Sequence, residues 1–126
     1  MIEVYTSIYN RLVSQLTVPV FDHVPQKQTV FPYVRIDQLE TKNGDTDAEN
    51  GFKGTIQIIA FSRYRGSKEV SALNLQIYNA LHRWLMSDTL NYGISSIHQE
   101  FSTIATETDG LTRQSIQRFI ILFEKH

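Results

Sequence analysis

The sequence predicts an α+β fold: a mainly antiparallel sheet of four to five strands with two helices packed on one face. Three observations predict it. Apolar residues recur at three- and four-residue steps over residues 2–16 and again over 67–86, the spacing of a helix with one buried face. Residues 33–39, 52–62, 94–107 and 112–124 carry the β-branched and aromatic residues of strands. Between the last two lies Asp109-Gly110, a strong hairpin signal. The expected order is helix, short strand, strand, strand, helix, strand, strand, a pattern of segregated elements rather than βαβ units.

The elements follow in turn. In the first helix Ile2, Tyr5, Ile8, Tyr9, Leu12 and Leu16 share a face, with Glu3, Asn10, Arg11 and Gln15 outside it. Val18-Pro19 ends it, because the proline ring disfavours helix at the residue before it. Residues 19–32 are extended or looped, with Val20, Phe21 and Val24 as a short edge strand between prolines. A strand over 33–39 leads into ETKNGDTDAENG, a polar stretch read as a long loop at a hairpin tip. Such a loop buries little, and ordering each residue costs about 1–2 kcal/mol of backbone entropy, so a partner is expected to order it.

The strand over 52–62 places Ile56, Ile58 and Ala60 on one face and Ile59 and Phe61 on the other, so it expects cover on both faces. Residues 63–66 turn the chain. Ser67 is a good helix N-cap, and Glu69 suits the positive end of the helix dipole. Val70, Leu73, Ile77, Ala80, Leu81, Trp84 and Leu85 form the buried stripe of the second helix, which is expected to reach Met86. A turn at 91–93 leads to the last hairpin.

With Asp109 and Gly110 as a two-residue turn, Thr103 pairs with Ile116, Phe101 with Arg118, Gln99 with Ile120 and Ile97 with Leu122. The opposite face then carries Phe119, Ile121, Phe123 and Ile104, among His98, Glu100 and Gln117. Both faces are partly apolar, and two helices cover only one. An apolar sheet face without cover marks a partner. Self-association through Phe119, Ile121 and Phe123 is the expectation, with residues 17–32 folding over the face as the alternative. Charged residues near strand ends (Arg35, Asp37, Arg63, Arg65) and in the polar loop (Glu40, Lys42, Asp45, Asp47, Glu49) are expected to complete the contacts.

A length of 126 residues fits one domain spanning 1–126. Twelve Lys and Arg against 13 Asp and Glu give a net charge of −1, which argues against a dedicated nucleic-acid binder. The chain has no cysteine, so disulfides, thiolate metal sites and a cysteine nucleophile are excluded. No apolar run reaches the roughly 18 residues of a membrane span. The start, MIEVYTSIYN, lacks the basic-then-apolar pattern of a signal peptide.

No reactive constellation emerges. Asp45, Asp47 and Glu49 alternate like the start of a calcium loop, but Asn50 stands where the loop needs Gly and Ile56 where it needs Glu. A solvated acidic loop is the better reading. His82 is read as a surface residue and His98 as half-buried; no two histidines have helical zinc spacing. Nucleophile-elbow and phosphate-cradle motifs do not occur. Arg63 and Arg65 flank Tyr64, a pattern that can hold phosphate, but a solvated turn or subunit ion pair explains it as well. No cofactor, metal or catalytic residue is expected.

Four segments together carry a resemblance. They are PVFDHVPQ (19–26), FPYVRI (31–36), FSRYRGSKEV (61–70) with the helix after it, and DGLTRQSIQRF (109–119). In this order and spacing the chain resembles the phage tail-completion, or tail-terminator, family of long-tailed bacteriophages and gene transfer agents. The similarity runs over nearly the whole chain. The step FSR-x-x-G-x-x-EV into a helix is its most telling piece. The family's last hairpin often reads DG-x-TRHG; here Gln114 and Ser115 follow Arg113, so no role carries over to those two positions. The resemblance implies a virion structural protein, assembled in the host cytoplasm. It implies α+β subunits in a ring, typically of six, that caps the head-proximal end of the tail tube. Such a ring stops tube polymerisation and offers neck or head-completion proteins a docking surface. The implied partners are further copies of the chain, the tail tube protein and a neck protein. A connector of the same neck is the alternative, followed by a generic adaptor domain and then by a hydrolase built around Asp22, His23 and Glu100.

Overall fold

The computed structural model describes residues 2–22, 30–43 and 51–125. The elements are α1 (Ile2–Gln15), β1 (Val20–Phe21), β2 (Tyr33–Ile36), β3 (Glu40–Asn43), β4 (Gly51–Ser62), α2 (Lys68–Leu81), β5 (Tyr92–Thr106) and β6 (Arg113–Lys125). They form an α+β fold with one six-stranded sheet in the order β1-β2-β4-β6-β5, with β3 also on β4. All pairs are antiparallel except β1 with β2. Two helices and a mainly antiparallel sheet follow the sequence reading; the sixth strand does not.

The additional strand is β3. Residues 40–43 continue the path of β2 along the same edge of β4. β2 pairs with Ile58–Phe61, and β3 with Phe52–Thr55. The Asp37 amide donates to the Gln57 carbonyl at 2.9 Å between them. Glu40 and Lys42 are therefore strand residues rather than loop residues. Their side chains give no apolar signal, because both are exposed at a sheet edge. The rest of the expected loop, with Asp45, Asp47 and Glu49, lies outside the described residues, as do His23 and Val24.

The helices cover one face. Val4, Ile8, Leu12 and Leu16 of the first helical stretch and Val70, Leu73, Ile77, Ala80 and Leu81 of α2 are buried. They pack on Val34, Ile36, Ile56, Ile58, Ala60, Ile97, Phe119, Ile121 and Phe123. The α1 stripe is rotated from the expected one: Val4 is buried and Ile2 is exposed. Tyr5 and Tyr9 lie half-buried at its margin.

The second helix stops five residues early. His82 is extended (ψ 120°) and Arg83 is left-handed (φ 59°). Instead of continuing the helix, this corner bonds to the outer edge of β5. The Arg83 amide donates to the Ile97 carbonyl at 2.9 Å, and His82 Nδ1 accepts from the Gln99 amide at 3.0 Å. Leu85, expected in the buried stripe, is 94% exposed, and Trp84 is half-buried beneath the Arg11 guanidinium. Ser67 stands at the N-cap position without a side-chain capping bond.

The last hairpin begins as expected and then departs. Its turn is a four-residue loop closed by the Glu107–Thr112 pair (2.8 Å), with Asp109-Gly110 at the tip. Phe101 faces Arg118 and Thr103 faces Ile116, but irregularities between Gln99 and Phe101 and between Ile94 and Ser96 shift the register. Ile97 thus faces Ile121, not Leu122. One inserted residue moves every following side chain to the other face. Ile97 becomes core for that reason.

Candidate assembly surface

The face of the sheet opposite the helices can be built strand by strand. Alternation along β4 sends Lys53, Thr55, Gln57, Ile59 and Phe61 to it, since Ile56, Ile58 and Ala60 meet the helices. The pairing adds Gln114, Ile116, Arg118, Ile120 and Leu122 from β6. Tyr33 and Arg35 join from β2 and Phe21 from β1. Tyr33, Ile59 and Phe61 form a second buried cluster, with Phe21, Phe31 and Ile116 packed on it. No helix residue belongs to that cluster.

Phe119, Ile121 and Phe123 are not on this face. They are 0%, 0% and 1% exposed beneath the helices, which corrects the expectation that they form an uncovered contact surface. The expectation of two apolar faces holds; the assignment of β6 residues to them was reversed. Phe61 and Ile59, read from the strand over 52–62, do mark the second face.

Arginines laid on aromatic rings form the outer layer of that face. The Arg63 guanidinium lies 4.3 Å from the Phe31 ring centroid, Arg118 5.2 Å from Phe101, and Arg35 5.3 Å from Phe61. Each also has a carboxylate: Arg35 Nε with Asp37 at 3.0 Å, Arg63 with Asp109 at 3.9 Å, Arg118 with Glu100 at 4.0 Å. A guanidinium plane is weakly hydrated and stacks well on a ring. The layer therefore shields aromatic area while keeping polar groups at the surface. Tyr33 stacks on Phe61 at 4.8 Å, and burial pushes its hydroxyl above the usual tyrosine range, so it remains neutral. Gln57 Nε2 donates to the second Asp37 oxygen at 3.0 Å.

Arg35, Asp37 and Arg63 thus belong to one surface. Arg65 is exposed in the turn before α2, away from the ring contacts. Sequence reasoning missed Phe31 and Tyr33 as members; it placed Phe101 opposite Arg118, where it lies. The available signal was FPYVRI, in which Tyr33 and Arg35 share one face of a strand.

The turn between β4 and α2 explains the FSR-x-x-G-x-x-E spacing. Ser62 Oγ is buried; it donates to Glu69 at 2.7 Å and accepts from the Tyr64 amide at 3.2 Å. Gly66 has φ 78°, which favours glycine. Arg63 Nε donates to Thr112 at 3.1 Å and Arg113 Nη1 to the Tyr64 carbonyl at 3.1 Å, tying the turn to the hairpin tip.

Among the described residues no cluster of three potential metal ligands occurs, and no helix is long and apolar enough to cross a membrane. The surface is aromatic beneath and charged above. The fold is that of a small α+β protein with one sheet face under two helices and the other under arginines. The model of the family "Tail completion protein gp17" matches residues 8–124, and the chain belongs to that family. It is a tail-completion protein, a structural component at the tail end of a phage-type virion. Two solved structures are similar. A chain of the virion of a native gene transfer agent particle superposes with a TM-score of 0.85 at 13% identity, covering 97% of this chain and 95% of its own. The gp17 protein of bacteriophage SPP1 superposes with a TM-score of 0.56 at 15% identity, covering 94% and 86%. No curated protein matches the chain.

Proposed function

We propose that the chain caps the head-proximal end of the tail tube as a ring of identical subunits, six in number, ending tube growth and presenting a docking surface to a neck protein. The observation that supports this is the second sheet face, aromatic beneath an arginine layer and without a helix from the described residues over it. Every contact round a closed ring is heterologous and uses two different patches of each subunit. The arginine-covered face and the turn bearing Arg63 and Arg65 supply one patch. The strand edge bearing Glu40 and Lys42, which leads into Asp45, Asp47 and Glu49, supplies the other. Lateral contacts are weak in dilute solution and close on the tube end, where the template raises the effective concentration.

The test adds purified protein to growing tail tubes and images the products. A ring at one end and arrested elongation are expected. Tubes that elongate unchanged and stay bare would overturn the capping role. Arg65→Glu should lower capping without changing the melting curve, because an exposed ion pair contributes only about 0–1 kcal/mol to a fold.

A further inference from the structure

We infer that the distal half of β5 pairs, antiparallel, with the same segment of a second copy of this chain. The two halves of this edge strand are treated differently. In the proximal half, one outward backbone group of each of three residues is occupied: the Ile94 amide by Asp88 Oδ1 at 2.9 Å, the Ile97 carbonyl by Arg83, the Gln99 amide by His82. Beyond the irregularity at Gln99/Phe101 that protection stops. The Glu107–Thr112 bond sets the alternation of the hairpin ladder. The backbone groups of Phe101, Thr103 and Ala105 therefore face β6, and those of Ser102, Ile104 and Thr106 face outward. Among the described residues nothing bonds to these outward groups.

Edge strands are ordinarily guarded by charge, proline or shortness. The other edge of this sheet is guarded: β1 has two residues, and β3 carries Glu40 and Lys42. Residues 101–106, FSTIAT, hold no charge and no proline. Phe101 and Ile104 are exposed along it, and Leu111 beside it in the hairpin loop. An unguarded, uncharged, β-prone strand is the best partner for its own copy, because self-pairing sets no like charges opposite each other. The register follows from counting bonds. With the two-fold axis at Ile104, Ser102 meets Thr106 of the second copy and all three outward residues pair. Centring on Thr103 or Ala105 leaves one of them unpaired. A two-fold contact does not propagate round a ring, so this pairing describes the subunit away from the tail end and does not rest on the capping role.

The test uses the full chain in solution without tubes. Sedimentation equilibrium should show a reversible dimer. Ile104→Lys sets two ammonium groups opposite each other and should weaken the dimer at least about tenfold with an unchanged melting curve. The chain has no cysteine, so Ile104→Cys gives a clean geometric readout. Directly opposed strand residues with paired backbones lie about 5.5 Å apart at Cα, within disulfide reach. It should crosslink on mild oxidation far faster than Leu75→Cys, an exposed position on α2. A wild type that stays monomeric up to about 1 mM, an Ile104→Lys dimer of undiminished strength, or equal crosslinking at 104 and 75 would each overturn the pairing.

Discussion

The Arg63 guanidinium rests 4.3 Å above the Phe31 ring while its Nε donates to Thr112. One side chain thus joins three places distant in sequence: the segment before β2, the end of β4 and the tip of the last hairpin. The same arginine that the sequence alone leaves as a solvated turn residue or a subunit ion pair is a clamp on the sheet's second face.

Arg63→Ala should therefore lower stability. An exposed guanidinium–ring contact contributes about 0.5–1 kcal/mol, and losing the bond to Thr112 adds a comparable amount. A fall in melting temperature of a few degrees is expected. Arg65→Ala, lacking these contacts, should leave the temperature unchanged. Equal effects in calorimetry would mean that the ring contact contributes nothing.

Phe119 decides between core and contact surface. It is fully buried beneath the helices, so Phe119→Ala should cost about 3–5 kcal/mol in denaturant unfolding. A residue on an uncovered face would cost far less in the free subunit. Near-native stability of the variant would place it outside the core.

Gly66 adopts φ 78°, and a Cβ added there would meet no atom within 4 Å. Gly66→Ala should then show the backbone penalty alone, about 1–2 kcal/mol for a left-handed residue. Gly66→Asn, which tolerates this region, should recover part of it. Full stability of the alanine variant would contradict the left-handed turn.

Asp109 makes the hairpin tip sensitive to acid. Its carboxylate accepts from the Thr112 amide and hydroxyl and the Leu111 amide, and these bonds lower its pKa from 3.8 to about 2. A depressed carboxylate adds stability above its unfolded value and loses it as pH falls through the folded one. Amide exchange at Leu111 and Thr112, compared with internal reference amides, should accelerate between about pH 4 and pH 2. Asp109→Ala should show the faster exchange already at neutral pH. Flat protection across that window would show that the carboxylate does not hold the turn.

The sequence alone determined the α+β class, both helices and the strands with strong local patterns. Period-3.6 stripes and a run such as Ile56-Gln57-Ile58-Ile59-Ala60-Phe61 are local, and burial enforces them residue by residue. It also carried the family resemblance, through segments whose spacing reflects one turn: Ser62, Gly66 and Glu69 act together within eight residues. Tertiary structure alone decided the rest. Glu40–Asn43 form a strand because β4 offers an edge to pair with, and no property of ETKN announces that. The second helix ends at Leu81 because its corner bonds to the outer edge of β5, a partner more than ten residues ahead. Most consequential is the face of Phe119, Ile121 and Phe123. Strand alternation says only that the three share a side; which side receives the helices is fixed by how β6 pairs with β4, whose Ile56, Ile58 and Ala60 meet the helices, while two irregularities in β5 decide that Ile97 joins them. Those are long-range choices, settled when the two strands pair, and the local pattern is the same either way.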